Sequence, residues 1–537
     1  MTIKQFIDRW KLSHPKEMQK YLEYNTPEEL IDHQIGNSYR HGLWIQMELM
    51  DRQPERCAVG NDMGMSQLFA DVFKDHCRYN VTAKEWFVFD GKVWKADPGG
   101  MTVSASAKRL TKALLVYGAD LPESKERDSL LKTAGKYGNH KFRETMIRDA
   151  RDVYPISQED LDGRLELFNC QNGTYDLDEG VFCSHNPEDL LSKCSNVVYD
   201  PKARSPLFEQ FVSDIMQGDQ EKIDYLQKVF GYALTAETNL EACWILYGAT
   251  TRNGKSTLVE TLAYMMGNSE GYAQATQPET LAQKKNKDSR QASGDVARLK
   301  GCRFLNASEP PKRMLFDAAL LKTLLGRDSI TARQLYEREF EFFPHFKLFI
   351  NTNYLPLIQD DSLFSSGRII VIPFERHFSA QEQDRTLKDR LRTPENISGI
   401  FNWCLEGLRR FREEGLPLPD SVKAAIEEYR QSSDKVGNFI SECLHNTGRN
   451  SKGGDVYLRY SRWCQENGFG CENKGNFFDE LKSKGLLAKS GKVNGSTLYN
   501  VVKGYEIIPE LPVGYDVPLP PPSDEWQEVP EQLAVFP

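Results

Sequence analysis

Five consecutive residues, Asn253-Gly254-Lys255-Ser256-Thr257, combine the side-chain types needed to grip a triphosphate. Glycine lets backbone N–H groups approach phosphate oxygens, lysine reaches the outer phosphates, and a serine hydroxyl can ligate Mg²⁺. The apolar run Trp244-Ile245-Leu246-Tyr247 before them reads as a strand. From Ser256 onward, Leu258, Val259, Leu262, Met265 and Met266 recur at helical spacing up to Gly267. A loop between strand and helix is where such chemistry works, because a helix N-terminus favours anions. The usual pattern places four residues between the first Gly and Gly-Lys-Ser, but five separate Gly248 from Gly254. That extra residue leaves the part played by Gly248 open, with Asn253 to Thr257 as the functional end.

Hydrolysis needs further groups, and the following strands offer them in order. "CRFLNASEP" supplies Glu309 to organise Mg²⁺ and polarise a water, while "FKLFINTNYLP" ends in Asn351 and Asn353, candidates for a polar sensor. "SSGRIIVIPF" puts Arg368 at the start of another strand, positioned like an arginine finger that reaches a neighbouring subunit's phosphates. Ser308 rather than a second acid precedes Glu309, so one carboxylate serves both Mg²⁺ and water. Each residue also has a structural reading: Glu309 as a helix cap, Asn353 as a turn former, Arg368 as the partner of a carboxylate. Their order and strand-end placement favour the joint catalytic reading.

The elements that position these groups are "ACWILYG", "CRFLNAS", "FKLFINTN" and "RIIVIPF", short apolar runs of the kind buried on both faces of a parallel sheet. "EWFVFDGKVWKAD" reads as a hairpin around Asp-Gly, and "LELFNCQNGTYDLDEGVFCSH" as turn-rich strands. Residues 205–240 read as two helices broken at Gly218, and the chain is helical again from 376 to about 429. A length of 537 residues exceeds a single core. The expected division is 1–50, a helical segment; 51–204, α+β; 205–240, a helical collar; 241–375, the ATPase core; 376–435, a helical subdomain; 436–505, a winged helix; and 506–537, an acidic Pro-rich tail.

The motifs from Gly248 to Phe374 resemble those of superfamily 3 helicases, which belong to the AAA+ class. "LKGCRFLNASEP", "LLKTLLGRDSITARQLYEREFEFFPHFKLFINTNYLP" and "RIIVIPF" are similar to the helicase part of phage, plasmid and poxvirus primase–helicases. The resemblance runs from about Glu85 to Val502. It implies an α/β multidomain fold with an AAA+ type P-loop ATPase core, and ATP and Mg²⁺ as ligands. It further implies a homo-oligomeric ring, hexameric in the family, moving 3′ to 5′ on single-stranded or forked DNA, with a separate primase or replication protein as partner.

In that family the segment between the acid and the sensor strand forms a hairpin in the central channel. Here Lys322, Arg327, Arg333 and Arg338 supply phosphate-directed charge there, and Tyr336 a stacking surface. The interleaved Glu337, Glu339 and Glu341 equally suit a solvated salt-bridge hairpin. At the C-terminus, helix, helix and an Asn-Gly hairpin follow in the order of a winged helix-turn-helix. Lys474, Asn476, Lys482 and Lys484 lie on or beside its second helix, and Lys489 and Lys492 on the wing. Between Arg449 and Lys503 there are ten bases and five acids, a local excess hidden by the net charge of −9.

Asp176, Asp178 and His185 have an Asp-x-Asp and Ser-x-His pattern similar to a primase signature, yet they are too close in sequence to occupy separate palm strands. The reading is therefore a helicase module without primase chemistry, the primase being absent or separately encoded. Composition is that of a soluble globular protein, with 39% hydrophobic and 27% charged residues and no apolar run of about 20 residues to span a membrane. The eleven cysteines form no CxxC pair, which points away from disulfides and zinc, and the N-terminus lacks a signal-peptide pattern, so cytoplasmic localisation is expected. The rival reading is an origin-binding or loader ATPase that uses ATP as an assembly switch without processive unwinding.

Overall fold

The computed structural model describes residues 43–56, 60–283, 294–312, 314–333, 339–467 and 470–509. Most of the expected N-terminal segment, the acidic tail from 510, Tyr336 and Arg338 lie outside the described residues. The chain divides into two compact units that meet between Tyr429 and Arg430. Expected boundaries at 204, 240 and 375 fall inside the first unit, and the break comes six residues before the expected one at 436.

The centre of the first unit is a five-stranded parallel sheet in the spatial order Ile369–Pro373, Cys243–Tyr247, Lys347–Thr352, Phe304–Ser308, Ala273–Thr276. Four of these are the apolar runs of the sequence, buried on both faces. The fifth, "AQAT", is an edge strand with half-buried Gln274 and exposed Ala275. It carries no apolar run because Gln274 and Ala275 are not buried, unlike the residues of the other edge strand, Ile369–Pro373. On one face Trp244, Phe349 and Phe304 stack with ring centroids 5.5 and 4.6 Å apart and pack against the helices Gln220–Leu234 and Pro394–Glu414. The other face is covered by Leu321, Leu324, Phe316 and Phe364.

Two buried cations join the collar to this sheet, with no carboxylate bonded to them among the described residues. Arg303 donates to the Leu234 carbonyl at 2.7 Å and to that of Leu167 at 2.8 Å, and lies 4.6 Å over the Tyr272 ring. Lys347 donates to the Thr235 carbonyl and lies 4.7 Å over the Tyr232 ring. Both reach the C-terminal end of the helix Gln220–Leu234, where free carbonyls favour positive charge. Burial holds the Lys347 amine well below the usual lysine range.

Before the sheet come an antiparallel sheet, Cys77–Asn80, Glu85–Phe89 and Trp94–Ala96, and the helices Met101–Asp120, Lys125–Tyr137 and His140–Asp149. The Asp-Gly hairpin is present, with Phe89 opposite Trp94. The strands Leu167–Cys170, Gly173–Asp176 and Val181–Cys183 follow as a meander. Here Asp176 accepts from the N–H groups of Asp178 and Glu179 at 2.9 and 3.0 Å, forming the turn. Asp178 pairs with Arg412 at 2.6 Å, and the His185 ring sits 2.9 Å from the Cys170 carbonyl. Those three side chains thus serve turn, ion pair and packing.

The second unit has the helices Lys435–Cys443, Gly453–Glu466 and Lys474–Ser483 around a core that includes Val436, Phe439, Val456, Tyr460, Phe477 and Leu481. A hairpin of Leu487–Val493 and Ser496–Val502 follows, turning at Asn494 and Gly495 with φ of 49° and 82°. Two positive φ values are what a type I′ turn requires, and Asn-Gly is its preferred pair. The short strand Ser451–Lys452 adds to this hairpin as a third strand.

Candidate functional site

Sheet register assembles the candidate site. Tyr247 stands opposite Thr352 on one side and Pro373 on the other, while Asn351 stands opposite Ser308. With these ends level, the loop after Tyr247, Glu309 and Asn353 all leave the same carboxyl edge. That edge is where ligands bind in open parallel sheets. The chain order of the strands across the sheet, 5-1-4-3-2, makes the gap between the first and fourth strands the point where connections depart in opposite directions.

The loop Gly248–Gly254 links the strand Cys243–Tyr247 to the helix Lys255–Met265. Gly254 adopts φ of 85°, and a Cβ there would come 2.4 Å from Ile215 Cγ2. Only glycine fits that close approach to the collar. Gly248, whose role the spacing left open, is equally confined: a Cβ would meet Asn253 Nδ2 at 2.1 Å and the Phe374 carbonyl at 2.7 Å. The extra residue is absorbed beyond Gly248, where Asn253 Nδ2 donates to the Thr250 carbonyl at 2.7 Å and Arg252 takes φ of 60°. The chain after the last strand braces the loop, with Phe378 N–H donating to the Arg252 carbonyl at 2.9 Å.

Lys255 is 3% exposed, and its Nζ donates to Asn253 Oδ1 at 2.8 Å and to Asn353 Oδ1 at 2.9 Å. Burial pushes its amine down to about 8, offset in part by the charge of Glu309. Asn351 Nδ2 donates to Ser256 Oγ at 3.1 Å. The two asparagines therefore divide the work: Asn353 holds the lysine and Asn351 the serine. Thr257, half-buried, continues the helix. Glu309 is exposed, with φ of 56° and its N–H donating to the Asn351 carbonyl at 2.8 Å. Left-handed backbone at a non-glycine residue costs on the order of 1 kcal/mol and marks a position that its surroundings enforce. Ser256 and Glu309 are hard oxygen donors, few in number, which fits Mg²⁺ completed by water and phosphate oxygens.

Arg368 is not brought to this group. It precedes the strand Ile369–Pro373 at the amino edge of the sheet and pairs with Glu241. Five residues at about 3.3 Å each separate it by roughly 17 Å from the carboxyl edge, beyond reach of its own chain's loop.

Among the candidate nucleic-acid residues, Lys322 pairs with Asp360 at 2.6 Å, and Arg327 lies 4.0 Å from Glu241. The strands Ile330–Ala332 and Phe340–Phe342 pair antiparallel, and half-buried Arg333 follows the first of them. In the second unit, Lys474 and Asn476 sit in the first turn of the helix Lys474–Ser483 and Lys482 in its last, all exposed. Lys484 pairs with Asp434, and Lys489 and Lys492 are exposed on the hairpin. Glu241 was missed by sequence reasoning; no motif surrounds it, and only its ion pairs with Arg368 and Arg327 single it out.

Residues 66–217 match the family described as D5 N terminal like, and residues 246–368 match the family of unknown function DUF5906. The chain is 28% identical over 372 residues to "Putative helicase L207/L206" of Acanthamoeba polyphaga mimivirus, covering 64% of this chain and 38% of that protein. It is 28% identical over 409 residues to "Putative helicase 022R" of Frog virus 3, covering 60% and 41%. The chain thus spans about two fifths of the length of these relatives. A solved structure of the NrS-1 C terminal region is similar over 80% of this chain and 96% of that one, at 11% identity and a TM-score of 0.43, a likeness too distant to bear on function. No helix among the described residues is long and apolar enough to cross a membrane.

Proposed function

We propose, from the match to the D5 N terminal like family and the similarity to viral proteins named putative helicases, that this chain is of the phage and viral primase–helicase type and an ATP-dependent replicative DNA helicase of superfamily 3. It works as a ring, hexameric by resemblance, that moves 3′ to 5′ along single-stranded DNA. One observation carries the reading: Lys255, Ser256, Asn351, Asn353 and Glu309 meet at the carboxyl edge of a parallel sheet of order 5-1-4-3-2. That is the geometry expected of an AAA+ type P-loop core.

Lys255 binds the β- and γ-phosphates, exchanging its bond to Asn253 for phosphate oxygens and keeping the one to Asn353. Asn353 orients that amine and, as sensor, holds a γ-phosphate oxygen or the attacking water. Glu309 accepts the proton of that water as it attacks the γ-phosphorus and the bond to the leaving diphosphate oxygen breaks. Ser256 and Glu309 would hold Mg²⁺, which would supply charge neutralisation for the phosphates. Arg368, too far from its own loop, acts on the neighbouring subunit's ATP. The paired strands Ile330–Ala332 and Phe340–Phe342 line the channel, and the second unit, read as a winged helix, supplies a further site for DNA.

The test is strand displacement on forked DNA bearing a single 3′ or 5′ tail, with Lys255→Ala as control. Unwinding from the 3′ tail that needs hydrolysable ATP and Lys255 is the expected result. Binding of both ATP and DNA with no displacement on either fork would instead favour the origin-binding or loader switch.

A further inference from the structure

Glu241 lies in the tight turn entering the first strand of the sheet, where its N–H donates to the Thr238 carbonyl at 3.2 Å. Its φ is 47°, the left-handed region that a non-glycine residue enters only when its surroundings hold it there. One carboxylate oxygen pairs with Arg368, whose buried Nε has no hydrogen-bond partner among the described residues. The other oxygen faces Arg327 at 4.0 Å. Arg327 follows the helix Ala318–Leu325 and precedes the hairpin that begins at Ile330, and its side chain is 62% exposed. One acid therefore stands between the proposed finger and the foot of the proposed channel hairpin.

We propose that Glu241 is a positioning residue that parks Arg368 within its own subunit and, on releasing it, takes Arg327 instead. The inference rests on the proposed reading of Arg368 as a finger acting in trans. To reach a neighbour's phosphates the guanidinium must leave the carboxylate, so parking lowers the fraction of fingers available. Arg327 eases that departure by offering the vacated carboxylate a second cation. Exchange thus links finger engagement to the base of the hairpin, and the linkage is reciprocal. A phosphate that draws Arg327 away from Glu241 favours the parked finger, while an engaged finger draws Arg327 off its phosphate.

The experiment measures kcat/KM for ATP without DNA in Glu241→Gln, Glu241→Asp, Arg327→Ala and each paired with Arg368→Ala. Glu241→Gln is expected to raise kcat/KM roughly fivefold, the weight of one partly exposed ion pair. Glu241→Asp should return it toward wild type, and Arg327→Ala should lower it. In the Arg368→Ala background all three effects should vanish. A purely structural ion pair predicts the opposite sign for Glu241→Gln, with a lower melting temperature. A Glu241→Gln value at or below wild type overturns parking, as does an Arg327→Ala value at or above it. Arg327→Ala, being an exposed substitution, keeps the test alive should Glu241→Gln fold poorly. Loss of hydrolysis in Lys255→Ala shows that the ATP reading stands apart from that result, whereas a wild-type chain that hydrolyses no ATP removes the reading and the parking together.

Discussion

Lys255 Nζ donates to Asn353 Oδ1 at 2.9 Å, joining two residues 98 apart in sequence, one opening a helix and the other following a strand. This bond holds the amine of a nearly buried lysine where a phosphate would sit. It also makes the amine's charge state depend on what binds there.

Burial sets the first expectation, a pH dependence. The Lys255 amine titrates at about 8 in the folded chain against an ordinary 10.5. Below pH 8 both folded and unfolded chains carry the proton. Between about 8 and 10.5 the unfolded chain binds more protons, so this group's contribution to stability rises with pH in that window. Phosphate oxygens favour the charged amine, so triphosphate binding should take up a proton above pH 8 and weaken as pH rises. Calorimetry at pH 9 in buffers of different ionisation enthalpy should report uptake of up to about one proton, absent in Lys255→Ala. Pure proton release would count against a phosphate-facing lysine.

Gly248→Ala tests whether the first glycine belongs to the loop despite the extra residue. The added methyl would meet Asn253 Nδ2 at 2.1 Å and Lys255 Nζ at 3.0 Å. We expect nucleotide affinity to fall about tenfold or more, a change of ~1.4 kcal/mol, while the two-unit fold persists. Fluorescent-nucleotide titration alongside circular dichroism measures both. Unaltered affinity would return Gly248 to an ordinary turn.

Glu309→Gln should abolish turnover by about a hundredfold or more while leaving ATP binding largely intact, because the amide cannot take a proton from water. Asn351→Ala should instead act through Ser256, whose hydroxyl it holds at 3.1 Å. Its expected signature is a raised Mg²⁺ requirement, seen as activity restored by excess Mg²⁺. An unchanged ATPase rate in Glu309→Gln would remove the assigned base.

Subunit mixing addresses Arg368. A chain lacking the loop lysine is inactive alone, and a chain lacking the finger keeps only a low residual rate. If Lys255→Ala subunits are mixed with Arg368→Ala subunits, an intact pairing of loop and finger forms at some boundaries, and ATPase activity should reappear. Titrating either into wild type should reduce activity non-linearly. Strictly proportional loss with no recovery in the mixture would argue against a finger acting between subunits.

The second unit is tested by salt. Replacing Lys474, Lys482, Lys489 and Lys492 together with alanine should weaken duplex DNA binding and flatten its salt dependence. The slope of log K against log salt should shrink by about 0.9 for every DNA phosphate that these lysines neutralise in the wild type. All four are exposed, so the fold should survive. A slope identical to wild type would point to a protein-docking role for this unit.

The buried strands were legible because a strand covered on both faces must be apolar throughout, and four runs were. The Asn494-Gly495 hairpin was legible because few residue pairs accept two positive φ values. Ala273–Thr276 was not, since an edge strand can alternate with polar residues and leave no run. Nor were Arg303 and Lys347, whose charges look like surface residues in sequence but are satisfied by helix-end carbonyls and ring faces. Nothing near Glu241 in the chain marks it, because both of its partners arrive from distant segments.

Local sequence alone determined the kinds of groups available: a glycine-flanked lysine and serine, one acid, two asparagines and an arginine, each next to a strand. Tertiary structure decided which of them meet. Parallel register across strands from four separate segments brought Lys255, Ser256, Asn351, Asn353 and Glu309 to one edge and left Arg368 at the other. Pairing over a hundred residues depends on the burial of whole sheet faces, a long-range condition that no short stretch of residues can encode by itself.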